Sequence, residues 1–223
     1  MPKVKVPRKS TTIDMTAMCD VAFLLLSFFI LTAQFKPSEV LTVSTPTSVQ
    51  TKTAPEKDVV QITIDKDGKV YLSVSDVNQR QKADLIDAIN TSRNLGLTDA
   101  EKANFVKKSG SYIGVPFSQL KSFLHHTPEE LKAIQKSGIP VTDTLNNEMI
   151  PWIAAAKSAF SGTKMNLVVK GDNASKYPTL QGIINAFKKN DEMKFQIVTN
   201  PVPVPGGTEL YKKIQSTGSK AVE

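Results

Sequence analysis

Hydrophobic positions follow three different rhythms along the chain. Residues Ile13 to Phe35 (IDMTAMCDVAFLLLSFFILTAQF) form a nearly unbroken apolar run with one carboxylate, Asp20, inside it. About 20 apolar residues rising about 1.5 Å each cross a bilayer's hydrocarbon core, so this run predicts a single transmembrane helix over 13–35. Residues 36–58 are rich in Pro, Ser and Thr, with Pro37, Pro46 and Pro55 interrupting any period, which predicts an extended, loosely ordered tether. A short β pairing by Val40 to Val43 is the alternative there. Period-two alternation then begins. Val59 to Ile64 and Lys69 to Val74 flank Asp65-Lys66-Asp67-Gly68, which reads as a β-hairpin.

Leu85, Ile86 and Ile89 fall at helical spacing within 81–90. Alternation resumes at Lys164 to Lys170. Leu180, Ile183, Ile184 and Phe187 mark a helix over Tyr177 to Asn190, and Lys194 to Thr199 reads as a closing strand. The predicted fold class is a single N-terminal transmembrane α-helix followed by a small α+β domain, ββα then βαβ, over 59–200, with its helices on one face of a sheet. A mostly helical insertion, 92–161, separates the halves, and a tail, 201–223, holds one short helix around Glu209 to Gln215. Within the insertion, Thr98 and Glu101 form a capping-box pattern. Thr127 and Pro128 open a helix that Gly138 closes. Met149, Ile150, Ile153 and Phe160 suggest a third, with Trp152 as its anchor on the sheet domain. Its length makes it either a packed insertion or a separate helical lobe.

Composition changes this picture little. The 223 residues are 40% hydrophobic and their mean hydropathy is −0.18, which suits one membrane span plus one ordinary domain. The net charge of +7 does not indicate nucleic acid, because the lysines are scattered and lack an aromatic-interleaved basic stripe. The only cysteine, Cys19, lies in the apolar run, so an exported domain would need no disulfide. Adjacent His125 and His126 diverge by about 100° on a helix and do not share a metal easily. Gly206-Gly207 lacks the strand-loop-helix setting of a phosphate loop. No hydrolytic triad, paired-carboxylate site or zinc motif occurs, so neither an enzyme nor a cofactor is expected.

The chemistry concentrates in the apolar run. A membrane aspartate costs about 2.5 to 3.5 kcal/mol, and each Leu, Ile, Phe or Val returns about 0.3 to 0.6, so Val21 to Leu31 can offset it. An ionisable group there is a functional-site candidate, with Thr16 and Ser27 on the same helical stripe as Asp20. The plainer alternative is a tolerated Asp whose charge reaches headgroup water. Lys3, Lys5, Arg8 and Lys9 precede the run without any acid among them, which places 1–12 in the cytoplasm and the chain after Phe35 outside it. A cleaved signal peptide shares this outline. Asp20 in its centre and the bulky Leu31 before Thr32-Ala33 argue for an uncleaved anchor instead.

These residues resemble the ExbD/TolR family of proton-driven membrane energisers. The resemblance rests on the basic tip, on Ile13-Asp14-Met15-Thr16-Ala17-Met18-Cys19-Asp20-Val21, and on Val168-Val169-Lys170-Gly171-Asp172 followed by Tyr177 and Leu180. Two positions depart from the pattern: Ala17 where many members have proline, and Asp14 where they have asparagine. Asp14 at the helix start suits the helix dipole and is expected to act as a cap. The resemblance implies two copies of the helix inside a ring of ExbB-like or TolQ-like multispan subunits in the bacterial inner membrane. Asp20 would carry the protons, the only coupling ligand, and Lys170, Asp172 and Tyr177 would mark the family motif of the periplasmic domain. It further implies force transmission to a TonB-like protein that energises outer-membrane import. A TolR-like role in outer-membrane constriction, and a single-span receptor whose insertion binds a ligand, are the alternatives. The exported part lacks the peptidoglycan-binding pattern of flagellar stators of the MotB kind.

Overall fold

A computed structural model of the chain describes residues 15–32, 41–49, 55, 57–108, 112–126, 137–142 and 146–217. The chain divides into two compact units, Met1–Glu39 and Val40–Glu223. The first contributes α1 (Met15–Thr32), an 18-residue helix with mean hydropathy 2.0 and no buried residue. Its length is about 27 Å at 1.5 Å per residue, enough for a membrane core when its ends are included. The ends of the 13–35 run and the cap expected at Asp14 lie outside the described residues.

In the second unit the elements follow as β1 (Thr47–Ser48), β2 (Val59–Ile64), β3 (Val70–Val74), α2 (Gln79–Arg93), α3 (Asp99–Lys108), α4 (Phe117–His125), α5 (Met149–Ala159), β4 (Asn166–Gly171), α6 (Tyr177–Lys189), β5 (Phe195–Ile197), β6 (Asn200–Pro201) and α7 (Glu209–Thr217). Four strands form the main sheet in the order β3-β2-β4-β5. Only the β2/β3 hairpin is antiparallel. Its turn closes through Gly68 N–H to Asp65 O at 2.9 Å, with Gly68 at φ +77°, where a side chain would be strained. The ββα and βαβ halves meet where β2 and β4 pair in parallel.

Alternation decides the core. Val60, Ile62, Ile64, Val70, Leu72, Val74, Leu167 and Val169 share one sheet face, and that face is buried with Leu85, Ile86 and Ile89 of α2 and with Ile183 and Phe187 of α6. The insertion is packed rather than a separate lobe: Phe105, Leu120, Phe123, Leu124, Trp152 and Ile153 belong to the same core. Trp152, fully buried, lies between Phe105 (ring centroids 6.0 Å, 9° between planes) and Phe117 (5.3 Å, 22°), which anchors α5 as its position in the sequence suggests. The capping box forms. Thr98 N–H donates to Glu101 Oε2 at 2.7 Å, and Glu101 N–H donates back to Thr98 Oγ1 at 3.4 Å. The expected helix opening at Thr127 lies outside the described residues.

Three features go beyond the sequence pattern. The insertion seals the outer edge of β3: Leu72 and Ile113 exchange N–H···O bonds of 2.8 and 2.7 Å, and Ile139 N–H reaches Val70 O at 2.8 Å. The second sheet face is covered as well, with Thr63, Tyr71, Ser73 and Val168 buried. There the Tyr71 ring occupies the space over Gly114, while Gln61 Nε2 donates to Tyr112 Oη at 3.2 Å. Burial, with Asp65 and Asp67 nearby, pushes the Tyr71 hydroxyl up to about 12.

The third feature concerns the tether. Residues 41–49, expected to be loose, carry β1, which pairs in parallel with β6. Val198 N–H donates to Val169 O, then Asn200 N–H to Pro46 O and Val202 N–H to Ser48 O. All three point to the same side, so one continuous edge passes from β4 to β1 as β4 ends. The β5 ladder is therefore three residues long instead of six.

The buried face of α6 runs through Thr179, Gly182, Ile183, Ala186 and Phe187, leaving Leu180 and Ile184 half-buried. Gly182 sets this rotation, because the Val141 carbonyl lies where its Cβ would stand. Gly182→Ala should therefore cost about 1–3 kcal/mol of unfolding free energy, the usual cost of overpacking. Urea denaturation of the chain is the measurement, and an unchanged midpoint would refute the contact.

Candidate functional site

Two places gather the residues singled out by the sequence. On α1, Asp20 is the only acidic or basic residue among the 18. Steps of four and seven residues hold Thr16, Asp20 and Ser27 within about 40° of one another around the helix axis. Asp20 and Thr16 are exposed and Ser27 is half-buried. The hydroxyl of Ser27 donates to Leu24 O at 2.9 Å, and that of Thr32 donates to Phe28 O at 2.7 Å. Such back-bonding satisfies a hydroxyl inside hydrocarbon without a second helix. A carboxylate has no comparable route, since it needs a donor or a proton. Asp20 thus requires a neighbour in a way that Ser27 does not. Cys19 beside it is exposed.

The second place is the carboxyl end of β4. Lys170 stands on β4 in register with Thr63 of β2. Asp172 follows the strand and uses both oxygens: Oδ1 accepts Ala174 N–H at 2.9 Å, forming a turn, and Oδ2 accepts Ser44 N–H at 2.9 Å. These two backbone donors hold its carboxyl below the ordinary aspartate range. Asn173 N–H completes the attachment by donating to Ser44 O at 2.8 Å. Asn200 Nδ2 adds a contact to Thr45 O at 3.3 Å, and Thr45 is buried. Tyr177, the first residue of α6, is 67% exposed. Lys170 and Asp172 therefore lie together where the tether joins the domain, and Tyr177 opens the helix that follows.

Ser44 was not among the residues the sequence singled out. Its signal is faint, because the attachment is made by its backbone and its own side chain carries no pattern. The alternation Pro201-Val202-Pro203-Val204-Pro205 was a readable hint: it leaves N–H groups only on every second residue, the spacing that a one-sided strand needs.

No group of three or more metal-ligating side chains converges among the described residues. A groove of about 810 Å³ runs past Lys157, Phe160, Lys164, Glu192, Lys194 and Phe195 at the opposite end of β4. Its charged side chains include a Lys157–Glu192 ion pair at 3.3 Å, and Lys157 also donates to Asn190 O at 2.7 Å, so this lysine serves to cap α6.

The family model described as biopolymer transport protein ExbD/TolR matches residues 7–202. The chain belongs to the ExbD/TolR family. The match spans α1, the attachment at Asp172, the insertion and β6, leaving α7 beyond it. No curated protein and no solved structure matches the chain. ExbD/TolR proteins are non-catalytic membrane subunits, free of cofactors, that partner with ExbB- or TolQ-type and TonB-like proteins, and the family covers both TonB-energising and Tol-Pal roles. One N-terminal membrane-length helix is consistent with a single-pass member in the inner membrane.

The attachment at Asp172 is open to test. Because its pKa is lowered on folding, its contribution is present at neutral pH and fades as the pH falls through that lowered value. Asp172→Ala should leave the core intact yet make residues 41–49 sensitive to protease at neutral pH, and acid should do the same to the unaltered chain. Equal resistance in both proteins would show that Asp172 does not hold the segment.

Proposed function

We propose that this chain is the proton-carrying subunit of an inner-membrane complex of ExbB/ExbD type that energises TonB-dependent import across the outer membrane. The observation that carries the reading is Asp20, the one charged residue on an 18-residue apolar helix with no buried position. Low dielectric favours the protonated carboxyl, and a polar group on a facing helix favours the anion. Protons that cross by way of Asp20 therefore switch the helix between two preferred neighbours. Each charge crossing the field supplies about 2.3 kcal/mol per 100 mV, enough to bias such a two-state element. Thr16 and Ser27 line the same stripe: Thr16, one turn away, assists as a hydrogen-bonding neighbour of the carboxyl, and Ser27, two turns away, assists by offering its hydroxyl oxygen to the facing helix. The partner is an ExbB-like or TolQ-like multispan protein enclosing two copies of α1, with the amino terminus cytoplasmic and the domain periplasmic.

The tether supplies the mechanical link. With residues 44–48 attached, at most about 40 Å of extended chain separates Thr32 from Ser44. With them released, the span to Asp58 reaches about 90 Å. Movement of α1 is thereby passed to the domain at either short or long reach, and from the domain to a TonB-like protein. The TolR-like role in envelope constriction uses the same proton step and is separated from import by phenotype.

Asp20→Asn is isosteric and cannot ionise. It should abolish energised uptake while insertion, abundance and copurification with the multispan partner stay normal. Undiminished uptake in that variant would end the proposal. An envelope defect with normal uptake would assign the Tol role.

A further inference from the structure

The tether enters the domain at residues 57–59, where three other parts of the fold hold it. Asp58 is half-buried and has φ +55°, a left-handed backbone that few residues besides glycine, asparagine and aspartate adopt. Its N–H donates to Oδ1 of Asn78 at 3.0 Å, and Nδ2 of Asn78 donates back to its Oδ1 at 2.7 Å, closing a ring of two bonds across 20 positions. From another side Asn166, the first residue of β4, donates its N–H to Asp58 O at 2.7 Å and its Nδ2 to Lys57 O at 3.2 Å. Ser75 N–H, just beyond β3, reaches Val59 O at 3.1 Å. Three successive residues are thus fixed before β2 begins its ladder.

Asn78 forgoes its usual task to do this. It stands immediately before α2, where an asparagine side chain ordinarily caps the first turn, yet it makes no capping bond. Such a cap contributes about 1 kcal/mol, and here both polar groups of the buried side chain go to Asp58 instead. A residue that breaks a local rule for a distant partner marks a place with a task beyond local stability. Its carbonyl still opens the helix by accepting Lys82 N–H at 3.0 Å, so Asp58 is tied to α2 and, through Leu85, Ile86 and Ile89, to the core. Asn166 ties the same residue to the βαβ half. The attachment farther up the tether is slighter: Ser44 is held at an exposed turn, and β1 has two residues.

We propose that the Asp58–Asn78 pair is the stop of the tether, the fixed point at which a pull from α1 enters the domain once residues 44–48 have let go. The inference rests on the reading of those residues as a link that releases. The stop decides where lengthening ends. Through Asn78 and Asn166 it divides the pull between the two halves of the fold, ahead of β2. Without it the next bonds to take the pull are those of β2 itself, the strand that pairs with both β3 and β4.

Amide exchange in the full-length protein in nanodiscs, resolved at Asp58 and at residues 44–48, tests the stop. In Asp172→Ala the amides of 44–48 should exchange about tenfold faster, while Asp58 changes by less than about threefold. Asn78→Asp suits the cap of α2 as well as asparagine does, but it sets a second carboxylate against Asp58 and removes the donor. Asp58 should then exchange about tenfold faster while the amides of α2 hold. Asp58→Asn alone should be silent, because an amide oxygen accepts equally and asparagine tolerates positive φ. The two substitutions together restore both bonds with donor and acceptor exchanged, and should return the amide of residue 58 to within about threefold of the parent rate. Asp58 opening along with 44–48 in Asp172→Ala, an unchanged rate in Asn78→Asp, or no recovery in the double variant overturns the stop; the last comparison also covers an Asn78→Asp chain too unstable to measure alone. Residues 44–48 that stay protected in Asp172→Ala overturn the release on which the stop rests. Energised uptake that stays normal in Asn78→Asp, with Asp58 opened, overturns its part in passing on the pull.

Discussion

Unpaired backbone groups at the edges of a small sheet must find partners or face water, and this constraint shapes the domain that follows α1. The four-strand sheet has two edges. At β3 the insertion supplies Ile113 and Ile139, so a region with no recognisable chemistry of its own closes the fold there. Along the β4 side of β5 and β6, where β4 runs out, the tether supplies residues 44–48. One edge is therefore sealed by a permanent part of the domain, and a gap at the other is filled by a segment that also leads to the membrane. In this member of the ExbD/TolR family that segment is the part of the domain that follows α1 in the sequence.

Two carboxylates of the domain, Asp172 and Glu148, illustrate opposite uses of the same chemistry. Asp172 accepts two backbone amides at an exposed turn and so prefers to stay ionised. Glu148 accepts one amide, and partial burial outweighs that bond and raises its affinity for the proton. Which wins depends on donors against burial: Ser44 and Phe117 reach their acids from far along the chain, while Ala174 lies two residues from Asp172. Asp20 belongs with neither, because it stands exposed on an apolar helix. Its distinction is the absence of any other charged residue along α1.

The fold was legible where periodicity carries it. The run 13–35, the alternation at Val59 to Ile64, the Leu85, Ile86 and Ile89 spacing and the Thr98/Glu101 box each name an element that the structure contains. The faces were less legible than the elements. Leu180 and Ile184 looked like core positions of α6, but Gly182 approaches the Val141 carbonyl and turns Thr179 and Ala186 inward instead. Backbone-made contacts escaped altogether. Ser44 is held through its N–H and C=O, which every residue possesses, and the bond between Glu148 and Phe117 spans 31 positions. For the candidate site the same division applies: Asp20 announces itself by standing alone among apolar residues, whereas the reason for Asp172 appears only once the tether lies beside it.

Val198, Asn200 and Val202 all aim their amides inward, so the amide of Pro201, which does not exist, would have been the outward one, and Pro203 repeats the omission two residues on. Beyond Thr199 this margin of the domain presents carbonyls to a neighbour but no amide at Pro201 or Pro203. A second copy meeting this margin thus finds at most half of the bonds a ladder needs, even while the inner side of the same strand keeps its grip on the tether.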